Sequence, residues 1–292
     1  MLKQKIKLMT DSVSDIPKEQ AEALGIHMLY MPITIEGKPL REEIDFTKNE
    51  FYEMLENAKE YPSTAQITPF EALEAFEQVA DEGYTNLIYV TIGAGGSGTY
   101  ANASMAREQF KEAHPDSTLN IHLVDGRNYT AAYGYAVVEA AKKLARGAGV
   151  PELTDYLEDW VRHAGLYFVP MTLKYVKRSG RVSAAAAFAG ELLGLKPLCR
   201  ICNCQSSVLQ KIRGEQNIIP KLVEVAKADI QPHTPYIIMQ GSNEKIAQEF
   251  GAAMTKALGY PPECYWSIGA AICCNAGSEV VGFVIKRQEE TV

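Results

Sequence analysis

Ser97 and Thr99 are the residues whose setting most clearly suggests chemistry. They lie in Leu87-Ile-Tyr-Val-Thr-Ile-Gly-Ala-Gly-Gly-Ser-Gly-Thr-Tyr100, where a β-branched, aliphatic run meets four glycines in six residues. A helix-competent stretch, Tyr100 to Phe110, follows at once. Hydroxyls and backbone N–H groups gathered at the start of a helix form an anion site. A glycine surplus beyond what a tight turn needs points to close approach by a ligand.

Three enzyme motifs nearly fit the turn. Gly93-x-Gly95-x-x-Gly98 matches a dinucleotide fingerprint, and Asp125 ends a later strand where a ribose-binding acid would sit. That makes a nucleotide-cofactor enzyme the alternative reading, although Asp125 follows Gly98 by an unusually long interval. Gly93-x-x-x-x-Gly98 begins a phosphate loop but continues Thr99-Tyr100, without the lysine that would meet phosphate charge. Gly95-Gly-Ser97-Gly-Thr99 approaches a hydrolase elbow, with Thr in place of the final glycine. None of the histidines at 27, 114, 122, 163 and 233 occupies a turn after a core strand, so no general base is evident. The site has donors and no visible catalyst, which points to a non-catalytic protein.

Cys199, Cys202, Cys204, Cys264, Cys273 and Cys274 match no zinc or iron–sulfur spacing. Cys199 and Cys202 would face opposite sides of a strand, so the expectation is small buried hydrophobes and no metal.

These residues must be held by a framework, and the first half of the chain alternates strands with helices. Strands are expected at Ile6–Thr10, His27–Glu36, Leu87–Ile92 and Asn120–Val124, and helices at 17–24, 47–58, 69–82, 100–110 and 130–146. Tyr61–Pro69 reads as a polar loop bracketed by prolines. This order implies a mostly parallel sheet flanked by helices. After Gly149-Val-Pro151 the pattern changes to a smaller α+β domain. It has strands at 166–171, 198–202, 207–212, 236–239, 265–268 and 279–286, and helices at 152–164, 183–193, 216–228 and 243–258. The expected domains are 1–163 and 164–292.

Bulk properties set the class of partner. Across 292 residues, 36 acidic and 29 basic side chains give a net charge of −7 without a block of like charge. This disfavours nucleic acid and anionic membranes. No run reaches membrane-span length, and the N-terminus alternates like a strand rather than forming a signal peptide. A cytoplasmic location is the expectation.

Taken in order, several segments resemble the DegV family, whose members are similar to the carrier subunit of bacterial fatty acid kinase. They are Thr10-Asp-Ser-Val-Ser-Asp-Ile-Pro17, Gly37 before Asp45-Phe-Thr, and Glu50-Phe-Tyr-Glu-Met-Leu55. Pro62-Ser-Thr64-Ala-Gln66 stands where the family has Thr-Ser-Gln-Pro, and Ser97-Gly-Thr-Tyr100 matches Ser-Gly-Thr-Tyr. Leu173–Ser183 and Leu192–Leu198 complete the set. The resemblance implies a long-chain fatty acid held between two domains, with its carboxylate on Thr64, Ser97 and Gly98. It implies no other cofactor, and a fatty acid kinase as partner. It also makes Ala184–Ala187 and Phe188 candidates for an acyl tunnel, with close helix packing as the competing reading. Arg181 is the candidate partner-facing residue, with a helix cap or an inter-domain salt bridge as its structural alternative. The chain departs from the family at Gly93-Ala94, Ala65 and Ile67. It departs again at Cys273-Cys-Asn-Ala-Gly-Ser278, where Asn275 replaces a histidine and Cys274 a hydroxyl. Cys274 and Asn275 thus become head-group candidates with altered chemistry, implying changed head-group preference or kinase coupling.

Overall fold

The structure, a computed structural model, describes residues 5–188 and 194–288. The chain divides into two compact units, one running to Pro32 and resuming at Ala65–Arg162, the other made of Ile33–Thr64 and the residues from His163 onward. Segment 33–64, which a single linear cut at 163 leaves with the N-terminal half, groups with the second unit and makes it the larger.

The first unit is built on four parallel strands in the order His27–Leu29, Ile6–Asp11, Asn86–Thr91, Asn120–Asp125. The central strand Asn86–Thr91 is buried along its whole length, as expected for a parallel strand covered on both faces. Helices Pro69–Asp81 and Thr99–Ala113 pack on each other, and Ala131–Ala145 packs on the first strand. Thr68 opens Pro69–Asp81 with a reciprocal capping box to Glu71 and proline in the first turn, the local chemistry that starts a helix there.

The expected strand 27–36 is two strands in different sheets. Pro32 has no N–H to continue a ladder, and the preceding Met31 N–H donates to Ser12 Oγ at 3.0 Å. Pro32–Ile35 instead lies between Lys38–Arg41 and the two-residue strand Ser63–Thr64. The segment expected to be loop at 61–69 therefore contains a short strand.

The second unit carries a six-stranded mixed sheet, ordered Gln205–Arg213, Leu195–Cys202, Ala164–Pro170, Val280–Lys286, Tyr236–Gln240, Cys264–Ser267. Its core gathers Tyr167, Phe250 and Phe283 with Leu222, Ile238 and Met254 around helices Ile218–Asp229 and Glu244–Leu258. Two short helices, Val176–Ser179 and Ala270–Ala276, have no counterpart in the sequence reading. The helix expected at 183–193 is described as Ser183–Phe188; 189–193, including Leu192 and Leu193 of the family motif, lie outside the described residues, as do the side chains of Ala187 and Phe188. Among the described residues no helix is long and apolar enough to cross a membrane.

Candidate functional site

The glycine turn joins the buried strand Asn86–Thr91 to the 15-residue helix Thr99–Ala113. Three consecutive N–H groups at its entry are taken by acceptors from neighbouring strand ends. Ile92 N–H donates to Asp11 Oδ2 at 2.7 Å, Gly93 N–H to the Asn128 carbonyl at 2.9 Å, and Ala94 N–H to Asp125 Oδ1 at 2.9 Å. Gly96 N–H closes the turn onto the Gly93 carbonyl at 2.9 Å. Asp125 Oδ1 also accepts Arg127 N–H at 2.9 Å. The acid that a dinucleotide site would turn toward a ribose therefore holds the turn shut.

The glycines serve close approach, as the sequence implies, but at two positions the approaching group belongs to the chain itself. A Cβ on Gly96 would lie 2.2 Å from the Tyr129 hydroxyl, and one on Gly98 would lie 2.2 Å from Gln66 Oε1. None of the four glycines has positive φ, so the turn is not the alternating right- and left-handed nest that cradles phosphate.

The helix start still offers donors. Its cap, Gly98, provides no side chain, and the first helical bond runs from Asn102 N–H to the Gly98 carbonyl at 2.9 Å. Among the described residues, the N–H groups of Gly95, Ser97, Tyr100 and Ala101 have no acceptor. Ser97 Oγ stands among them, 3.0 Å from Thr99 Oγ1, and accepts Thr99 N–H at 3.3 Å. The positive end of the helix dipole adds to this cup.

Beneath the turn lies a buried polar network. Asp11, fully buried, accepts Tyr133 O–H at 2.6 Å and Val13 N–H at 3.2 Å besides the Ile92 bond. Burial pushes its carboxyl up to about 6, against the lowering effect of these three bonds, with nearby Asp15 pushing it further up. Asp15 in turn accepts Thr130 O–H at 2.5 Å. Thr130 has φ 52° and ψ −143°, a backbone state that strains a β-branched residue and that the surrounding bonds hold in place.

The sequence candidates fall into two groups. Ser97 and Gly98 lie together in the first unit, with Gln66 bonded to Gly98 N–H at 3.1 Å. Thr64, Cys274, Asn275 and Arg181 belong to the second unit. There the helix Ala270–Ala276 packs against Ser63–Thr64, Lys48–Asn57 and Val176–Ser179, and Thr64 pairs with Ile33. Asn275 Nδ2 donates to the Ala271 carbonyl at 2.8 Å within its own helix. Burial, with the Glu42 carboxylate adding to it, pushes the Cys274 thiol up to about 12, so it is neutral. Arg181 Nη1 donates to the Ser179 carbonyl at 3.0 Å, which caps the end of Val176–Ser179 in the manner of the helix-cap alternative. Ala184–Ala186 lie in Ser183–Phe188, with Ala185 fully buried. Among the described residues no group of three or more His, Cys, Asp or Glu could hold a metal.

Sequence reasoning missed the acceptors Asp11, Asn128 and Asp125 as supports of the turn, and it treated Gln66 only as part of a motif. Asp11 and Asp125 each stand at the C-terminal end of a parallel strand, where ligand-binding loops of such sheets gather. That position was the available signal.

Of the two α/β units, the first thus carries at a strand-to-helix turn a cup of backbone donors without acceptors. The family model described as "Uncharacterised protein, DegV family" matches residues 5–288, and the chain belongs to that family. A DegV domain-containing protein from Clostridium perfringens is 30% identical over 226 residues, covering 77% of this chain and 78% of the relative. A stearic-acid-binding protein from Eubacterium ventriosum superposes with a TM-score of 0.87 at 21% identity, covering 98% of this chain and 100% of that one. A fatty acid binding DegV family protein from Streptococcus agalactiae gives a TM-score of 0.85 at 25% identity, with 98% and 100% covered.

Proposed function

We propose that this protein is a non-catalytic carrier of a long-chain fatty acid. Its carboxylate would rest on Ser97 Oγ and the open N–H groups of the glycine turn, with the Thr64 hydroxyl as a further donor. The observation that carries the reading is the cup itself: four backbone donors without acceptors, beside Ser97, at the positive end of a 15-residue helix. A carboxylate has two oxygens and one charge, which such neutral donors satisfy without a counter-cation. Structural neighbours that bind fatty acids support the ligand class. Thr64 directly precedes the loop whose Gln66 and Ile67 are bonded to the turn, Ile67 N–H donating to Thr99 Oγ1 at 3.4 Å.

A carrier without its own general base needs a second protein to act on the carboxylate. The reaction that fits is phosphorylation by a fatty acid kinase, which the family resemblance implies. Native mass spectrometry of the full chain purified from bacteria tests the ligand. One bound C16–C18 acid per chain is expected, and a chain that arrives empty and takes up no added acid contradicts it.

A further inference from the structure

Gln66 is exposed, yet its carboxamide is seated rather than free. Oε1 accepts Gly98 N–H at 3.1 Å. A backbone donor fixes which end of an amide it faces, so the oxygen lies on the turn and Nε2 lies beyond it. Among the described residues no acceptor takes the Nε2 hydrogens. Gly98 makes the seat: a Cβ there would stand 2.2 Å from Oε1 and 3.0 Å from Nε2. The loop is fixed on both sides of Gln66. Ala65 N–H donates to the Pro32 carbonyl at 3.0 Å, Ile67 N–H to Thr99 Oγ1 at 3.4 Å, and Asn102 Nδ2 to the Ile67 carbonyl at 2.8 Å. The other amide candidate, Asn275, already donates to its own helix.

On the reading that the turn holds a fatty-acid carboxylate, we propose that Gln66 sets the head-group specificity of this site, anchored through Oε1 on Gly98 and donating from Nε2 to the ligand. A carboxylate accepts with a charged oxygen and an alcohol with a neutral one, so an uncharged donor favours the acid through the stronger, charge-assisted bond. Glutamate at this position keeps the size and the acceptor for Gly98 N–H but turns only acceptors and a negative charge toward the ligand. It should therefore repel an acid and accept a hydrogen bond from an alcohol.

The test uses full-length wild type, Gln66→Glu and Gln66→Ala, with palmitate and hexadecan-1-ol competing against a fluorescent lipid, and thermal melting as the check on folding. Wild type should prefer palmitate by roughly tenfold or more, one charge-assisted hydrogen bond. Gln66→Ala should lose about that factor for palmitate and clearly less for hexadecan-1-ol, and Gln66→Glu should invert the preference while melting as wild type does. An unchanged palmitate-to-hexadecanol ratio in Gln66→Glu overturns the specificity role. So does an equal loss of both lipids with a lowered melting temperature, which marks Gln66 as structural only. Wild type that binds neither lipid overturns the carrier reading itself.

Discussion

The chain has two short stretches where a carboxylate could be met, and they are built in opposite ways. At the glycine turn of the first unit the supporting bonds lie at the entry, through Asp11, Asn128 and Asp125, which leaves donors open at the helix start. At Ala270–Ala276 in the second unit a carboxylate already takes the first N–H of the helix, and the Asn275 amide is turned back onto its own helix. Ala270 N–H meets Glu42 Oε2 at 3.0 Å, and Asn275 donates to Ala271. The approach to that helix is fastened by Lys48 Nζ on the Ser267 carbonyl at 3.0 Å and Tyr52 O–H on the Ile268 carbonyl at 2.6 Å. Both partners come from the inserted segment 33–64. One region holds its backbone still so that donors face outward; the other uses its polar groups to hold itself. We propose on this contrast that head-group chemistry falls to the turn and that the 270–276 helix has a mainly architectural part.

The contrast breaks first, and by the largest margin, in the double variant Ser97→Val with Thr64→Val. Each hydroxyl lost from a charged acceptor costs roughly 1.5–3 kcal/mol. Fatty-acid affinity should fall by about two orders of magnitude or more with melting unchanged, as measured by lipid displacement. Retained affinity would move the head group away from both residues.

The support beneath the turn is next. Asp11 holds its proton more tightly in the folded chain than in the unfolded one, with values of about 6 and 3.8. Its stabilising contribution is therefore complete below pH 4 and is lost as pH rises through 6, a change of about 3 kcal/mol at 1.36 kcal/mol per pH unit. Denaturant unfolding between pH 4 and 7 should show this slope in wild type and not in Asp11→Asn. Equal slopes would mean that Asp11 titrates normally.

Smaller effects are expected in the second region. Asn275→Ala removes a half-buried amide that serves its own helix, so fatty-acid affinity should change by less than about threefold. A tenfold loss would return Asn275 to the head-group site. For Cys274, alkylation by iodoacetamide should stay slow from pH 7 to 9, because its thiol is held up at about 12. Rapid labelling of Cys274, located by peptide mapping, would show a thiolate that the buried environment excludes.

Much of this organisation is readable from residues alone. Buried β-branched runs, apolar residues at helical spacing and the Gly-rich turn placed the parallel sheet and its helices, because local chemistry and final structure agree there. The strands expected at 198–202 and 207–212 were legible for the same reason, and they pair antiparallel as Leu195–Cys202 and Gln205–Arg213. The grouping of 33–64 with the second unit was not, since it rests on long-range bonds such as Tyr52 to Ile268, 216 positions apart. The glycine turn announced close approach but not what approaches. Gln66 and Tyr129 stand 32 and 33 positions from Gly98 and Gly96, and no periodicity connects them. Ala270–Ala276 is a seven-residue helix with two adjacent cysteines and no side-chain cap, too short for a pattern to reveal.

We propose that the glycine turn, and not the 270–276 helix, holds the carboxylate. Carbon-13 NMR of palmitate labelled at its carboxyl carbon reads that atom directly. The wild-type chain should give one bound carboxyl resonance, and its carboxylate should stay ionised to lower pH than free palmitate, because the donors favour the anion. Ser97→Val should shift that resonance and raise its titration midpoint, while Asn275→Ala leaves both in place. A resonance that ignores Ser97 and follows Asn275 would instead put the carboxylate at the 270–276 helix.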